Sequence, residues 1–135
     1  MMDPVEILNR LKSSESWMEN HGILWLDATS IGIRSVAQVM HDAAARFLTI
    51  TTYELPKDAG MRFEYHWDLD GQLFGFTINT AEKVMESIVD ICEAADWIER
   101  EVHEEYAIEF TGREYEPLLL KAGFAGGVNL REVQS

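Results

Sequence analysis

Residues 61–80 read MRFEYHWDLDGQLFGFTINT, and this stretch decides the fold. Phe63, Tyr65 and Trp67 alternate with Arg62, Glu64, His66 and Asp68, the period of two expected when one face of a strand is buried. Asp70-Gly71 supplies a two-residue hairpin turn. Beyond it Phe74, Phe76 and Ile78 fall on one side of a second strand. On the N-terminal side, Phe47 to Leu55 (FLTITTYEL) is β-branched and aromatic, and Pro56-Lys57-Asp58-Ala59-Gly60 closes it with turn chemistry. Residues 47–79 are therefore expected to form a three-stranded antiparallel meander.

Further out, Ile33, Val36, Ala37, Met40 and Ala44 make the stripe of a helix over 33–45 laid across a sheet. Thr29 or Ser30 offers its N-cap. Gly22 to Ala28 (GILWLDA) has the length and residue types of a buried strand, which the helix connects to the meander. At the N-terminus DPVEILNRLK predicts a short helix: Asp3 caps it, Pro4 takes the first turn, Val5, Leu8 and Leu11 share a face, and Ser13-Ser14 break it.

After Thr80 the period changes. Ile88, Ile91, Cys92, Ala95, Ile98, Val102 and Tyr106 step by three or four, a helical stripe. Asp96, with Glu99 three residues on, has capping-box character, so this stripe reads as two helices meeting near Ala94. Ile108 and Phe110 give a β-like exit, and Gly112 ends regular structure. The expected architecture is α+β: a mixed β-sheet of about four strands, a βαβ unit plus the antiparallel meander, with helices packed on it and a C-terminal helix pair. One domain over 1–120 is expected, followed by a Gly-rich tail, 121–135, expected to be mobile.

The 135 residues carry 24 acids against 11 Lys and Arg, a formal charge of −13. Such a balance excludes phosphate-backbone binding and an anionic membrane as partners. The single cysteine, Cys92, cannot form an intramolecular disulfide and suits a reducing compartment. MMDPVEILNRL lacks the pattern of a signal peptide, and no apolar run reaches the ~18 residues of a membrane span. A cytoplasmic protein is expected. The acids concentrate late: residues 93–116 hold nine of them against Arg100 and Arg113.

The chain shows no recognisable catalytic pattern. His21, His41, His66 and His103 form no H-x-x-x-H or H-E-x-x-H spacing. Glu99 and His103 could share a helix face, but the Glu-x-x-His spacing of di-iron bundles would need glutamate at 100, which is arginine. Cys92 sits on the apolar stripe, where a cysteine acts as a small hydrophobe. Glu101, Glu104 and Glu105 read as a solvated face rather than a tuned acid/base pair. No Gly-rich phosphate loop or nucleophile elbow occurs.

One segment rises above this background. Trp97, Glu99-Arg100-Glu101, Glu104, Tyr106, the exit Ala107-Ile108-Glu109-Phe110-Thr111-Gly112, and Leu118-Leu119-Leu120 together resemble the hallmark of the thirty-kilodalton subunit of NADH-quinone oxidoreductase. That enzyme is respiratory complex I, and the subunit has relatives in membrane-bound nickel-iron hydrogenases. Ser87-Ile88 and Phe63-Glu64-Tyr65-His66 resemble other parts of the family pattern, so the likeness covers roughly 20–120. Arg113 stands where the family has a histidine, Glu105 where it has an apolar residue, and Glu114-Tyr115-Glu116-Pro117 replaces a Pro-Asp-Leu-Arg-Arg stretch.

The resemblance is strongest to the short version found in energy-converting (Ech-type, CO-induced) hydrogenases. It implies a structural subunit without cofactor or metal, reaching the membrane only through its complex and docking on a nickel-iron-hydrogenase-like large subunit near a small iron-sulfur subunit. The motif residues Trp97, Glu99, Arg100, Glu101, Glu104, Tyr106, Phe110 and Gly112 would organise the helix junction and meet the partner. Alternatives are a genuine thirty-kilodalton subunit of complex I, or a stand-alone acidic protein-binding domain derived from the family. An independent enzyme using the acidic helix ranks below these.

Overall fold

A computed structural model of the protein describes residues 2–114. The first helix, α1 (Pro4–Leu11), starts as its sequence dictates: the Asp3 carboxylate accepts the Glu6 N–H at 2.9 Å, and Pro4 occupies the first turn. Ile7 and Leu11, four apart, are its buried residues, with Leu8 partly covered. Val5, expected on the apolar face, is exposed, because it lies about 200° round the helix from Ile7.

Two strands follow, β1 (Met18–Asn20) and β2 (Ile23–Asp27), joined by a tight turn in which His21 and Gly22 both take positive φ. The helix α2 (Ile33–Asp42) buries Ile33, Val36, Ala37 and Met40, as its stripe predicts. It ends before the expected limit, leaving Ala44 beyond the helix at positive φ. Neither Thr29 nor Ser30 caps it: the N-cap is Gly32, without a side-chain bond. Thr29 Oγ1 instead accepts the N–H of Asn79, fastening the end of β2 to the neighbouring strand.

The meander is present as β3 (Arg46–Glu54), β4 (Met61–Leu69) and β5 (Gln72–Thr80), with Asp70-Gly71 at the second turn. Along β4 the five odd positions from Met61 to Leu69 are buried and the even ones half-buried, the alternation written in the sequence. Strand β3 would bury Phe47, Thr49 and Thr51 if it alternated strictly. A bulge at Leu48 shifts the phase, so that Phe47, Ile50 and Thr52 face inward.

The five-stranded sheet runs β1-β2-β5-β4-β3, and only β2 and β5 pair in parallel. The β2–α2–β3 crossover therefore passes over β5 and β4, and helix and sheet enclose one core. At its centre Trp67 packs against Phe47, Tyr65 and Phe76, with ring centroids 5.2, 6.2 and 5.7 Å apart. Trp17 stacks edge-on against Phe74 and Phe76 and donates its indole N–H to the Pro4 carbonyl, so it pins α1 to the sheet. On the opposite face Trp25 covers Gly75, where a Cβ would lie 2.5 Å from its ring, and meets His66 edge-on.

The C-terminal part departs from expectation. Instead of a helix pair there is a strand β6 (Val84–Glu86), a run of turns over 87–94, a single helix α3 (Ala95–Tyr106) and a strand β7 (Glu109–Thr111) parallel to β6. The three-to-four spacing of the apolar residues has a real origin. Ile91 and Cys92 N–H groups both bond the Ile88 carbonyl, and Ala95 bonds Cys92, so successive turns reproduce helical spacing without a continuous helix. The capping box is also absent: Ala94 is the N-cap without a side-chain bond, and Asp96 and Glu99 are engaged elsewhere. The boundary expected between a domain at 1–120 and a tail at 121–135 lies outside the described residues, as do Leu118-Leu119-Leu120 and residues 115–117.

Candidate functional site

The motif residues are distributed over α3, the turn after it and β7. The helix turns Ala95, Glu99 and Val102 inward, a spacing of four and three that keeps them on one face. Glu99 is thus a fully buried carboxylate. Burying such a group is costly unless its charge and lone pairs are satisfied. Here Oε1 accepts from the Ser87 hydroxyl at 2.7 Å and from Arg113 Nη1 at 3.1 Å, and Oε2 accepts the Ile88 N–H at 2.8 Å.

Arg113 reaches Glu99 because of how the chain exits the helix. Ala107, in the left-handed conformation, ends α3, and the His103 ring donates through Nδ1 to the Ile108 carbonyl at 2.7 Å. Phe110 is buried on β7. Gly112 then takes φ +86°, a region that favours glycine, and returns Arg113 toward the start of α3. The Arg113 side chain is 4% exposed. Its Nη2 donates to Asp96 Oδ1 at 2.5 Å, and Arg100 Nε donates to the same oxygen at 3.3 Å.

Two carboxylates and two guanidinium groups thus alternate in the order Arg100, Asp96, Arg113, Glu99. Burial raises the Asp96 pKa most, but the hydrogen bonds from Arg113 and Arg100 outweigh it and hold the carboxyl below its ordinary value. Desolvation likewise opposes the Arg113 charge, and the bonds to Asp96 and Glu99 prevail. Nearby, burial and then the Glu99 charge push the Tyr65 hydroxyl well above its usual range.

The turns over 87–94 are secured from the other side. Arg34 on α2 makes a two-pronged ion pair with Asp90, both contacts at 2.8 Å, and also bonds the Ser87 carbonyl. That hydrogen-bonded pairing holds the Asp90 carboxyl at about 2. Cluster and ion pair together join α2, the turns after β6, α3 and the segment after β7.

The other motif residues stand apart from this cluster. Trp97 is 63% exposed, and Glu101 and Glu104 are also exposed, on the side of α3 away from the core. Tyr106 is half-buried. Sequence reasoning singled out Glu99 and Arg100 but missed Asp96, Ser87 and Arg113 as their partners. The available signal was Glu99 itself: Ala95, Glu99, Val102 and Tyr106 form a stripe with a carboxylate at its centre, which requires a buried cation or several donors.

The Glu99 carboxylate accepts three hydrogen bonds, and burial raises the Cys92 thiol despite two backbone hydrogen bonds that lower it. Among the described residues no three His, Cys, Asp or Glu side chains are placed to hold a metal, and no helix is long and apolar enough to cross a membrane.

The acid response follows from these shifts. Burial lowers the His66 pKa, with Glu64 opposing it, so the folded protein prefers the neutral ring and loses stability as pH falls below 6.5. Asp96 and Asp90, depressed below 3.8, contribute stability that is fully present above that value and is lost as pH falls through their folded values. Urea midpoints measured between neutrality and about pH 2 should therefore decline in two steps, and His66→Gln should remove the first.

Over residues 26–132 the sequence matches the family described as the respiratory-chain NADH dehydrogenase, 30 Kd subunit. It is 33% identical over 121 residues to an NADH-quinone oxidoreductase subunit of Ruegeria sp. (strain TM1040), covering 82% of this chain and 60% of that protein. The chain therefore spans about three fifths of that relative's length. The fold resembles a chain of the membrane-bound sulfane sulfur reductase, an archaeal respiratory membrane complex, with a TM-score of 0.69, 24% identity and coverage of 82% of this chain and 69% of that one. It also resembles the trypsin-resistant fragment (1-134) of Nqo5, with a TM-score of 0.60, 19% identity and coverage of 73% and 87%. With a family match running from the end of β2 through the charge cluster and beyond, the chain belongs to the 30 kDa subunit family of the respiratory-chain NADH dehydrogenase.

Proposed function

We propose that this chain is a structural subunit, without a redox group of its own, of a membrane-associated respiratory oxidoreductase complex of the complex I type. It packs against a nickel-iron-hydrogenase-like large subunit and the neighbouring small iron-sulfur subunit, and neighbouring chains carry the electrons. The observation that carries this reading is the family match across the motif that builds the buried cluster. That cluster engages Glu99 and Arg100 in holding the chain together and leaves Glu101 and Glu104, on the outer side of α3, for contact. The 33% identity to an NADH-quinone oxidoreductase subunit favours an NADH-dehydrogenase-type parent. An energy-converting hydrogenase, the parent to which the sequence pattern is most similar, would supply partners of the same two kinds.

Tagged chain expressed in its native host should co-purify with a hydrogenase-like large subunit and a small iron-sulfur subunit. An NADH-oxidising flavoprotein among the co-purified chains would identify the first parent, and a nickel-containing large subunit the second. Recovery of the chain without any oxidoreductase subunit would overturn the proposal.

A further inference from the structure

We infer that the outer face of α3 is a docking surface for an arginine-bearing basic segment of a different protein, with the Trp97 indole as its seat. This inference rests on reading the chain as a subunit of a larger complex. Trp97 lies two residues from both Ala95 and Glu99, which are buried, and so sits about 200° from each on the helix. It is directed away from the core, and at 63% exposure it is the largest exposed apolar side chain among the described residues. Among the described residues its ring stacks on no other ring and has no internal packing role.

Glu101 and Glu104 follow at four and seven residues, on the same line along the helix, and both are exposed. An indole face attracts a cation through its quadrupole, and two carboxylates one and two turns further on extend that attraction to a basic segment. Arginine suits both, since its planar guanidinium stacks on the ring and pairs with carboxylates. A second copy of this chain is a poor occupant: it would bring the same acids against these, on a protein whose formal charge is already −13.

The test compares tagged full-length variants in the native host by retention of the identified co-purifying subunit over a salt series. Trp97→Leu and Trp97→Ala should each hold the partner about tenfold more weakly, while Trp97→Phe, which keeps an aromatic face, retains most of it. The double variant E101Q/E104Q should weaken retention at low salt and flatten its salt dependence. Circular dichroism of each purified variant should match the parent chain. Retention by Trp97→Ala or Trp97→Leu equal to that of the parent chain overturns the inference, and so does a partner that proves to be only a second copy. If the parent chain itself retains no oxidoreductase subunit, it is the subunit reading that fails, and this inference with it.

Discussion

Replacing Glu99 by alanine is expected to destabilise the fold by about 3–5 kcal/mol, the range seen when one partner of a buried ion pair is removed. The loss has several sources. Arg113, 4% exposed, would keep its charge without the Glu99 carboxylate, and the Ser87 hydroxyl and Ile88 N–H would both lose a buried acceptor. Total stabilities of domains this size are about 5–15 kcal/mol, so the shift is large. Urea unfolding followed by circular dichroism measures it. Because charge burial is itself costly, Glu99→Leu combined with Arg113→Met should recover the part of the loss that comes from the Arg113 charge, while the Ser87 hydroxyl and Ile88 N–H stay without their acceptor. A double variant as unstable as Glu99→Ala would show that the cluster does more than neutralise its own charges.

Trp67→Ala should cost a comparable amount, about 3–5 kcal/mol, by a different route. This ring is 1% exposed and wedged between Phe47, Tyr65 and Phe76, so its removal leaves a cavity under the centre of the sheet. Strand pairing around it is rigid, and the space cannot close without disturbing β3 and β5. Thermal denaturation should show a markedly lower midpoint. Trp97→Ala, in contrast, should change stability by no more than about 0.5 kcal/mol, as expected at an exposed site. Two tryptophans thirty residues apart thus separate folding from partner contact. If Trp97→Ala proved as damaging as Trp67→Ala, the outer face of α3 would have a structural role that the packing does not account for.

The meander was legible in the sequence because alternation in 61–69 and the Asp70-Gly71 turn are local signals that the buried face then reinforces. Helix α2 was legible for the same reason at the helical period. Strands β1, β6 and β7 were harder to read: at three residues each they are too short to show a period, and β6 and β7 form only by pairing with each other across the whole of α3. The C-terminal stripe misled because turns hydrogen-bonded at three and four residues bury the same positions that a helix would. Within the site, Glu99 and Arg100 stood out through the family motif. Arg113 did not, since it meets Glu99 from 14 residues away and Asp96 from 17, through a turn that only Gly112 makes possible.

The long crossover between β2 and β3 also sets the order of assembly. Ile23 pairs with Leu73 and Asp27 with Thr77, so the only parallel ladder in the main sheet must close a loop of about fifty residues, whereas β4 and β5 meet across two. Contacts between sequence neighbours form first, which makes the meander the early nucleus and β2 its late addition. During synthesis β2 leaves the ribosome well before the strand it will pair with. Over that interval its Ile-Leu-Trp-Leu run has only the three-residue β1 as a neighbour, which makes this strand the point at which slow or interrupted translation exposes the chain to aggregation.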